Sequence, residues 1–295
     1  MADLSGTRVG LIGLGHMGKP MARHLHAAGA RVTVTSRSRG PVDELAAEGM
    51  TAVDTPRAVA EASDIVIVMV TNTDAVDAVL HGPDGVIAGL GKGSGKLVID
   101  MGTTKVRETR AWAAEVMTAG ADWLDAPVSG GQVGAEQASL IIMAGGSEAA
   151  LERARPVFAT LGRKVTRIGD AGAGQVAKSA NQVIAGLTLA AVAEGLTLAA
   201  RAGADPAQVR EALTGGFADS RILDLHGGRM VNREFAPGAH ASVQLKDMRQ
   251  ALELAEQVGL ALPSVTANEK LWAKMVARGW GELDQAGIIR AIEED

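Results

Sequence analysis

Over roughly the first 170 residues, short apolar runs alternate with amphipathic stretches. Arg8-Val9-Gly10-Leu11-Ile12 reads as a buried parallel strand, and residues 19–28 after it carry apolar side chains at helical spacing and stop at Gly29. A second strand is predicted over 31–35. The apolar run 65–70 predicts another, followed by polar Thr71-Asn72-Thr73-Asp74 and a helix through Leu80. Residues 96–100, 123–126, 139–144 and 164–168 read as further strands, and 106–119 as a helix. The alternation predicts an α/β fold with a doubly wound, mostly parallel sheet covered on both faces.

Beyond Gly169 no convincing strand follows, and helical patterns run on. A domain boundary is therefore expected between 1–170 and an all-α part, 171–295. The first helix of that part runs from about Gly174 to about Ala202, and between Val183 and Ala200 its only charge is Glu194. A helix apolar on nearly every side is expected to be buried nearly all round. Glu194, Lys178 and the many alanines make a poor membrane span. A small helical domain seldom surrounds such a helix alone, so a subunit interface is expected along 174–202, in a homodimer or a tetramer built from dimers.

Between the first strand and helix stands Gly13-Leu14-Gly15-His16-Met17-Gly18. A strand, a glycine turn and a helix in that order form a phosphate trap: the first glycine permits the turn, the second lets backbone approach a pyrophosphate, and the third lets helix and strand pack. This predicts a Rossmann-type dinucleotide site. At the end of the second strand, where a carboxylate would bind the ribose of NAD, stands Ser36-Arg37-Ser38-Arg39. A guanidinium and hydroxyls suit a 2′-phosphate, so NADP is favoured, with NAD possible. The exits of later strands, at Val70-Thr71 and Gly102-Thr103-Thr104, fall where ligands collect in open sheets. Thr103 and Thr104 also suit an N-cap.

Composition narrows the picture. A net charge of −5 over 295 residues, with no block of Lys and Arg, argues against a nucleic-acid partner. The chain has no cysteine, which excludes disulfides and thiolate zinc sites and fits a reducing cytoplasm; no metal is expected. Met1-Ala2-Asp3-Leu4-Ser5-Gly6 shows no export signal.

Three constellations carry candidate chemistry. In Gly172-Ala173-Gly174-Gln175-Val176-Ala177-Lys178-Ser179-Ala180-Asn181-Gln182, helical spacing puts Gly174, Lys178, Asn181 and Gln182 on one face. The helix dipole and burial both disfavour the charged form of a lysine there, which suits proton transfer. Asp125-Ala126-Pro127-Val128-Ser129-Gly130-Gly131 ends a strand in a turn whose N–H groups and hydroxyl make a carboxylate nest. Gln244-Leu245-Lys246-Asp247 is expected to open a helix to Val258, with Lys246 at the unfavourable end of its dipole.

The order and spacing of these motifs resemble the 3-hydroxyacid (β-hydroxyacid) dehydrogenases related to 3-hydroxyisobutyrate dehydrogenase, tartronate semialdehyde reductase and glyoxylate/succinic semialdehyde reductase. The resemblance spans essentially the whole chain and rests on Gly13-Leu14-Gly15-His16-Met17-Gly18-Lys19-Pro20-Met21, Asp125–Gly131, the Gly172–Gln182 segment and Lys246-Asp247. It implies a Rossmann domain, a helical domain and an active site between them. By position, Lys178 matches the catalytic lysine, Asn181 the amide that orients substrate, and Ser129-Gly130-Gly131 the carboxylate cradle. Lys246 and Thr103 match positions near the reactive end of the cofactor, Val70 and Thr71 its adenosine half, and Ser36-Arg37-Ser38 the triplet of NADP-using members. Ser36 departs from the usual Asn, and Gly102 from Ser.

The implied reaction is hydride exchange between nicotinamide and a small 3-hydroxy acid or its semialdehyde. Phe217–Arg221 and Phe235-Ala236-Pro237 are expected to select the side chain. With no tyrosine, four tryptophans and three phenylalanines, an aromatic cage is disfavoured and small aliphatic carboxylates are preferred. Two alternatives are an imine reductase, which generally lacks a lysine at position 178, and a non-catalytic NADP-binding sensor or scaffold, against which Lys178 and Asn181 speak.

Overall fold

The computed structural model describes residues 2–236 and 238–294. Met1, Pro237 and Asp295 lie outside them, so the N-terminal stretch 1–6 and the segment 235–237 expected to select the side chain are described only in part. The chain divides into two compact units, 1–178 and 179–295.

The first unit is a nine-stranded sheet: β1 (Arg8–Ile12), β2 (Arg31–Thr35), β3 (Thr51–Ala52), β4 (Ile65–Val68), β5 (Leu97–Asp100), β6 (Asp122–Asp125), β7 (Val128–Ser129), β8 (Leu140–Gly146) and β9 (Gly162–Gly169). Its order is β3-β2-β1-β4-β5-β6-β8-β7, with β9 paired to β8. Pairing is parallel from β3 through to β6, antiparallel where β8 meets β6 and β7, and parallel between β8 and β9. The apolar runs are continuous because both faces are covered: Leu11, Ile67 and Ile99 enter one core, and Ile12, Val66, Val68 and Val98 the other. The short β3 and the helices Arg39–Ala47 and Pro56–Ala62 have patterns too brief or too polar to stand out. The strand expected over 65–70 ends at Val68, because the Met69 carbonyl turns against Gly13 and Asn72 caps the next helix.

The helix Ala173–Arg201 starts in the first unit and continues into the second. Its opening residues count with the sheet because hydrogen bonds tie them there, which takes compactness eight residues past the boundary read from the sequence. In the second unit, the helices Pro206–Leu213, Arg221–Asn232, Ala241–Gln257, Pro263–Met275 and Ile288–Glu293 follow. Leu189, Met230, Met248, Trp272, Met275 and Ile288 form part of their core. The expectation that the long helix is buried nearly all round is corrected: Leu189, Ala193 and Leu196 are buried, whereas Ile184 is 66% and Leu198 71% exposed. The helices of one chain cover one face only. Among the described residues this is the one helix whose length and composition would suffice to cross a membrane.

Candidate active site

The three glycines after β1 play different parts. Gly13 has φ +97°, and a Cβ on it would collide with the Met69 carbonyl; a Cβ on Gly18 would collide with the Gly13 carbonyl. Gly15 instead faces space with no atom within 4 Å of where its Cβ would stand. Gly13 and Gly18 therefore close the strand-to-helix turn, and Gly15 leaves backbone open to an anion. The helix Gly18–Ala27 has no acidic residue in its first turn and no side-chain cap, so its N-terminal N–H groups and dipole favour that anion.

The loop is linked to the end of β2, where the Leu14 N–H donates to Ser36 Oγ at 3.4 Å. Arg37 and Ser38 beyond it are exposed, and the Ser38 hydroxyl does not cap the following helix. Arg39 is held by Asp43 at 2.7 Å and Asp54 at 2.9 Å. Arg37 has no carboxylate partner among the described residues, so of the two guanidiniums it is the one open to a phosphate. Open glycine backbone, an unopposed helix N-terminus and a solvent-facing guanidinium fit a phosphorylated dinucleotide.

At the other side of the sheet, β5 and β6 end in fully buried carboxylates, Asp100 and Asp125. Asp125 accepts the Gly172 N–H on Oδ1 at 2.7 Å and the Gln175 N–H on Oδ2 at 3.0 Å, and so caps the long helix from a neighbouring strand. Burial outweighs these hydrogen bonds and pushes its carboxyl up to about 6. Asp100 accepts from the Gly102 N–H and the Thr104 hydroxyl, each at 2.9 Å. Gln175, fully buried, donates to the Gly102 carbonyl at 3.0 Å and accepts the Thr104 N–H at 3.1 Å. The helix comes this close because Gly174 has no side chain: a Cβ there would stand 2.5 Å from the carbonyl oxygens of Asp125 and Met143.

Lys178, 8% exposed, donates from Nζ to the Val128 carbonyl at 2.8 Å. Val128 leads into Ser129-Gly130-Gly131, where φ is +133° at Gly130 and +58° at Gly131, both conformations that favour glycine. The two glycines are exposed and Ser129 is half-buried. A buried amine is thus fastened to the strand that presents an open backbone turn.

In the second unit, half-buried Asn181 donates from Nδ2 to Gln182 Oε1 at 2.7 Å. Gln182 donates to Asp247 Oδ2, and the Gln244 amide donates to the Gln182 carbonyl at 3.2 Å. Lys246 Nζ lies 2.9 Å from Asp247 Oδ1. Fully buried Asp284 accepts from Arg229 Nη1 at 2.6 Å and from the N–H groups of Gly238 and Ala239, and so anchors the segment ahead of the helix Ala241–Gln257. Burial alone would raise its carboxyl, but His226, the Ala286 amide and Arg229 together hold it well below the usual range.

The sequence matches two family models end to end. One, the NAD binding domain of 6-phosphogluconate dehydrogenase, covers residues 8–169; the other, the NAD-binding domain of NADP-dependent 3-hydroxyisobutyrate dehydrogenase, covers 172–292. The chain is 45% identical over 287 residues to 2-hydroxy-3-oxopropionate reductase of Escherichia coli, an alignment covering 97% of each protein. The chain belongs to the 3-hydroxyacid dehydrogenase family. Among solved structures, 3-hydroxyisobutyrate dehydrogenase from Salmonella typhimurium is 31% identical with a TM-score of 0.87, over 96% of this chain and 99% of that one. Psf3 in complex with NADP+ and 2-OPP is 26% identical with a TM-score of 0.88, over 96% and 99%. This 3-hydroxyacid dehydrogenase is an NAD(P)-dependent oxidoreductase.

Two local readings of this family member change with the structure. Thr103 and Thr104 do not cap the helix Val106–Thr118, whose N-cap is Lys105; the Thr104 hydroxyl is drawn inward by Asp100 and Thr109. Lys246 does not stand at a helix start, since its helix opens at Ala241. Asp100, Gln175 and the capping role of Asp125 were missed. The signal was present as a lone carboxylate at the end of each apolar strand, Leu97-Val98-Ile99-Asp100 and Trp123-Leu124-Asp125, where burial demands a partner. The departure at Gly102 also has a reason here, because a Cβ would stand 2.9 Å from the Val70 carbonyl oxygen.

Proposed function

We propose that this enzyme interconverts a small 3-hydroxy acid and its semialdehyde with NADP as preferred cofactor, and that Lys178 is its general acid/base. The observation that carries the reading is Lys178, buried and held at the Val128 carbonyl beside the open Ser129-Gly130-Gly131 turn. The bound cofactor supplies or accepts the hydride at the substrate carbinol carbon. In reduction the Lys178 ammonium gives its proton to the carbonyl oxygen as C–H bond formation moves charge onto it; in oxidation the amine takes the hydroxyl proton back. Ser129 and the N–H groups of Gly130 and Gly131 receive the substrate carboxylate. Asn181, one helical turn beyond Lys178, orients the reacting oxygen.

For the cofactor, Gly13, Leu14, Gly15, His16, Met17 and Gly18 hold the pyrophosphate, and Ser36, Arg37 and Ser38 the 2′-phosphate. Val70, Thr71, Thr103 and Lys246 complete the set by family resemblance. The substrate is a short carboxylate of the 2-hydroxy-3-oxopropionate kind, a reading supported by the 45% identical relative. The outward apolar face of the long helix, with Ile184 and Leu198, supports a homo-oligomer, and the cysteine-free composition supports the cytoplasm.

The test is initial-rate reduction of a panel of short semialdehydes, followed by reduced-nicotinamide absorbance with NADPH and NADH, on wild type and Lys178→Ala. Turnover of carboxylate-bearing aldehydes by wild type alone supports the reading. Equal rates for the two proteins would overturn the assignment of Lys178.

A further inference from the structure

Asn181, Gln182 and Asp247 form a chain of hydrogen bonds in which each step has one sense. A carboxylate only accepts, whereas a carboxamide both donates and accepts at opposite ends. Asp247 is 3% and Gln182 9% exposed, so water does not compete freely for either. The Gln182 NH2 therefore turns to Asp247 Oδ2, its Oε1 turns to Asn181, and the Asn181 NH2 turns to Gln182 at 2.7 Å. Gln244 braces the middle of the chain, with its Nε2 on the Gln182 carbonyl at 3.2 Å and its Oε1 3.4 Å from Gln182 Nε2. A side chain at Gly186 would displace that brace, since a Cβ there would stand 2.6 Å from Gln244 Nε2.

We infer that Asp247 is a positioning residue that acts through Gln182 to fix which way round the Asn181 amide stands, so that Asn181 presents its carbonyl oxygen Oδ1, an acceptor, to the reacting group. The inference deepens the proposed function and rests on its assignment of Asn181. An acceptor at that point takes a hydrogen bond from the hydroxyl of the alcohol while Lys178 removes its proton, or holds an ammonium aimed at the aldehyde oxygen. A carboxamide turned the other way would offer an N–H to a donor and oppose both. Because the sense is set by a buried carboxylate rather than by the substrate, the amide is oriented before substrate binds.

The test exchanges acid and amide along the chain. Gln182→Glu sets two carboxylates face to face and removes the sense; kcat is expected to fall by about 10-fold or more. Asp247→Asn frees Gln182 to turn over, with a similar fall. The double variant Gln182→Glu/Asp247→Asn restores an acceptor-only carboxylate beside Asn181 and supplies a donor amide opposite it, so kcat is expected to return to within about 3-fold of wild type. Melting temperatures and the NADPH Kd of all three variants separate loss of fold, or an effect through Lys246, from loss of orientation. Asp247→Asn at wild-type kcat overturns the inference, as does a folded, NADPH-binding double variant that stays as slow as Gln182→Glu. Asn181→Ala is measured alongside: wild-type kcat there removes the proposed role of Asn181 itself, whereas a slow Asn181→Ala with a failed exchange removes the Asp247 inference alone.

Discussion

Neighbouring glycines in one motif face opposite demands. A Cβ at Gly18 runs into the Gly13 carbonyl, whereas one at Gly15 meets nothing. Gly18→Ala is therefore expected to cost about 2 kcal/mol or more of stability by overpacking against backbone. Gly15→Ala is expected to melt within a degree or two of wild type while its NADPH Kd rises about 10-fold, because only the approach of the pyrophosphate is obstructed. Thermal melts and cofactor titration of the two variants check both statements. The same scale decides cofactor choice. Among the described residues Arg39 is held by Asp43 and Asp54 and Arg37 by no carboxylate, so Arg37→Asp should weaken NADPH about 10- to 100-fold and leave NADH nearly unchanged, whereas Arg39→Ala should move the ratio little. Kinetics with both cofactors would reverse this assignment if Arg39 proved the sensitive one. Lys178→Ala is expected to bind NADPH normally and lose about 100- to 10,000-fold in kcat.

At the scale of the element, the decisive object is the first turn of the helix Ala173–Arg201. It is seated on the sheet by Asp125, Gln175 and Lys178 and admitted by Gly174. The Asp125 carboxyl is raised to about 6 in the fold against 3.8 unperturbed, so between these values the folded protein holds a proton that the unfolded chain has lost. Stability from this group is thus full below about pH 4 and falls, by about 3 kcal/mol, as pH rises toward 6. Asp125→Asn removes that titration, and its amide, like the protonated carboxyl, meets the two buried N–H groups with one acceptor oxygen and one donor end. The variant is expected to lie near wild type at pH 4 and to become the more stable of the two by pH 7, as chemical denaturation across that range would show. Parallel pH dependences would exclude Asp125 as the titrating group. Most elements here were legible in the sequence, since β1 and β2 fall on Arg8–Ile12 and Arg31–Thr35 as their apolar runs predict. The misreadings came at ends: Thr104 has the chemistry of a cap and serves Asp100 instead, and the helix bearing Lys246 begins at Ala241, before its apolar repeat is evident.

For the whole molecule, the long helix sets the question. Leu189, Ala193 and Leu196 are covered by the chain's own helices, and Ile184 and Leu198 are not. Exposed apolar side chains on a helix with one charge in its central stretch are expected to be covered by a second copy. Ile184→Glu/Leu198→Glu should shift the protein toward monomer in sedimentation velocity and make its melting temperature insensitive to protein concentration. An unchanged sedimentation coefficient would place the oligomer contact elsewhere.

By itself the sequence determined the doubly wound sheet, the glycine turn, the lack of a carboxylate after β2, and the family, because these are carried by local periodicity and by residue types at fixed spacing. Tertiary structure decided what depends on partners far apart in the chain. Asp125 meets Gly172 and Gln175 across about fifty positions, Gln182 meets Asp247 across more than sixty, and Arg37 differs from Arg39 only in which carboxylates the fold brings near. A side chain's chemical type is written in its own position, but whether it is spent on the fold or left for the reaction depends on what packs against it.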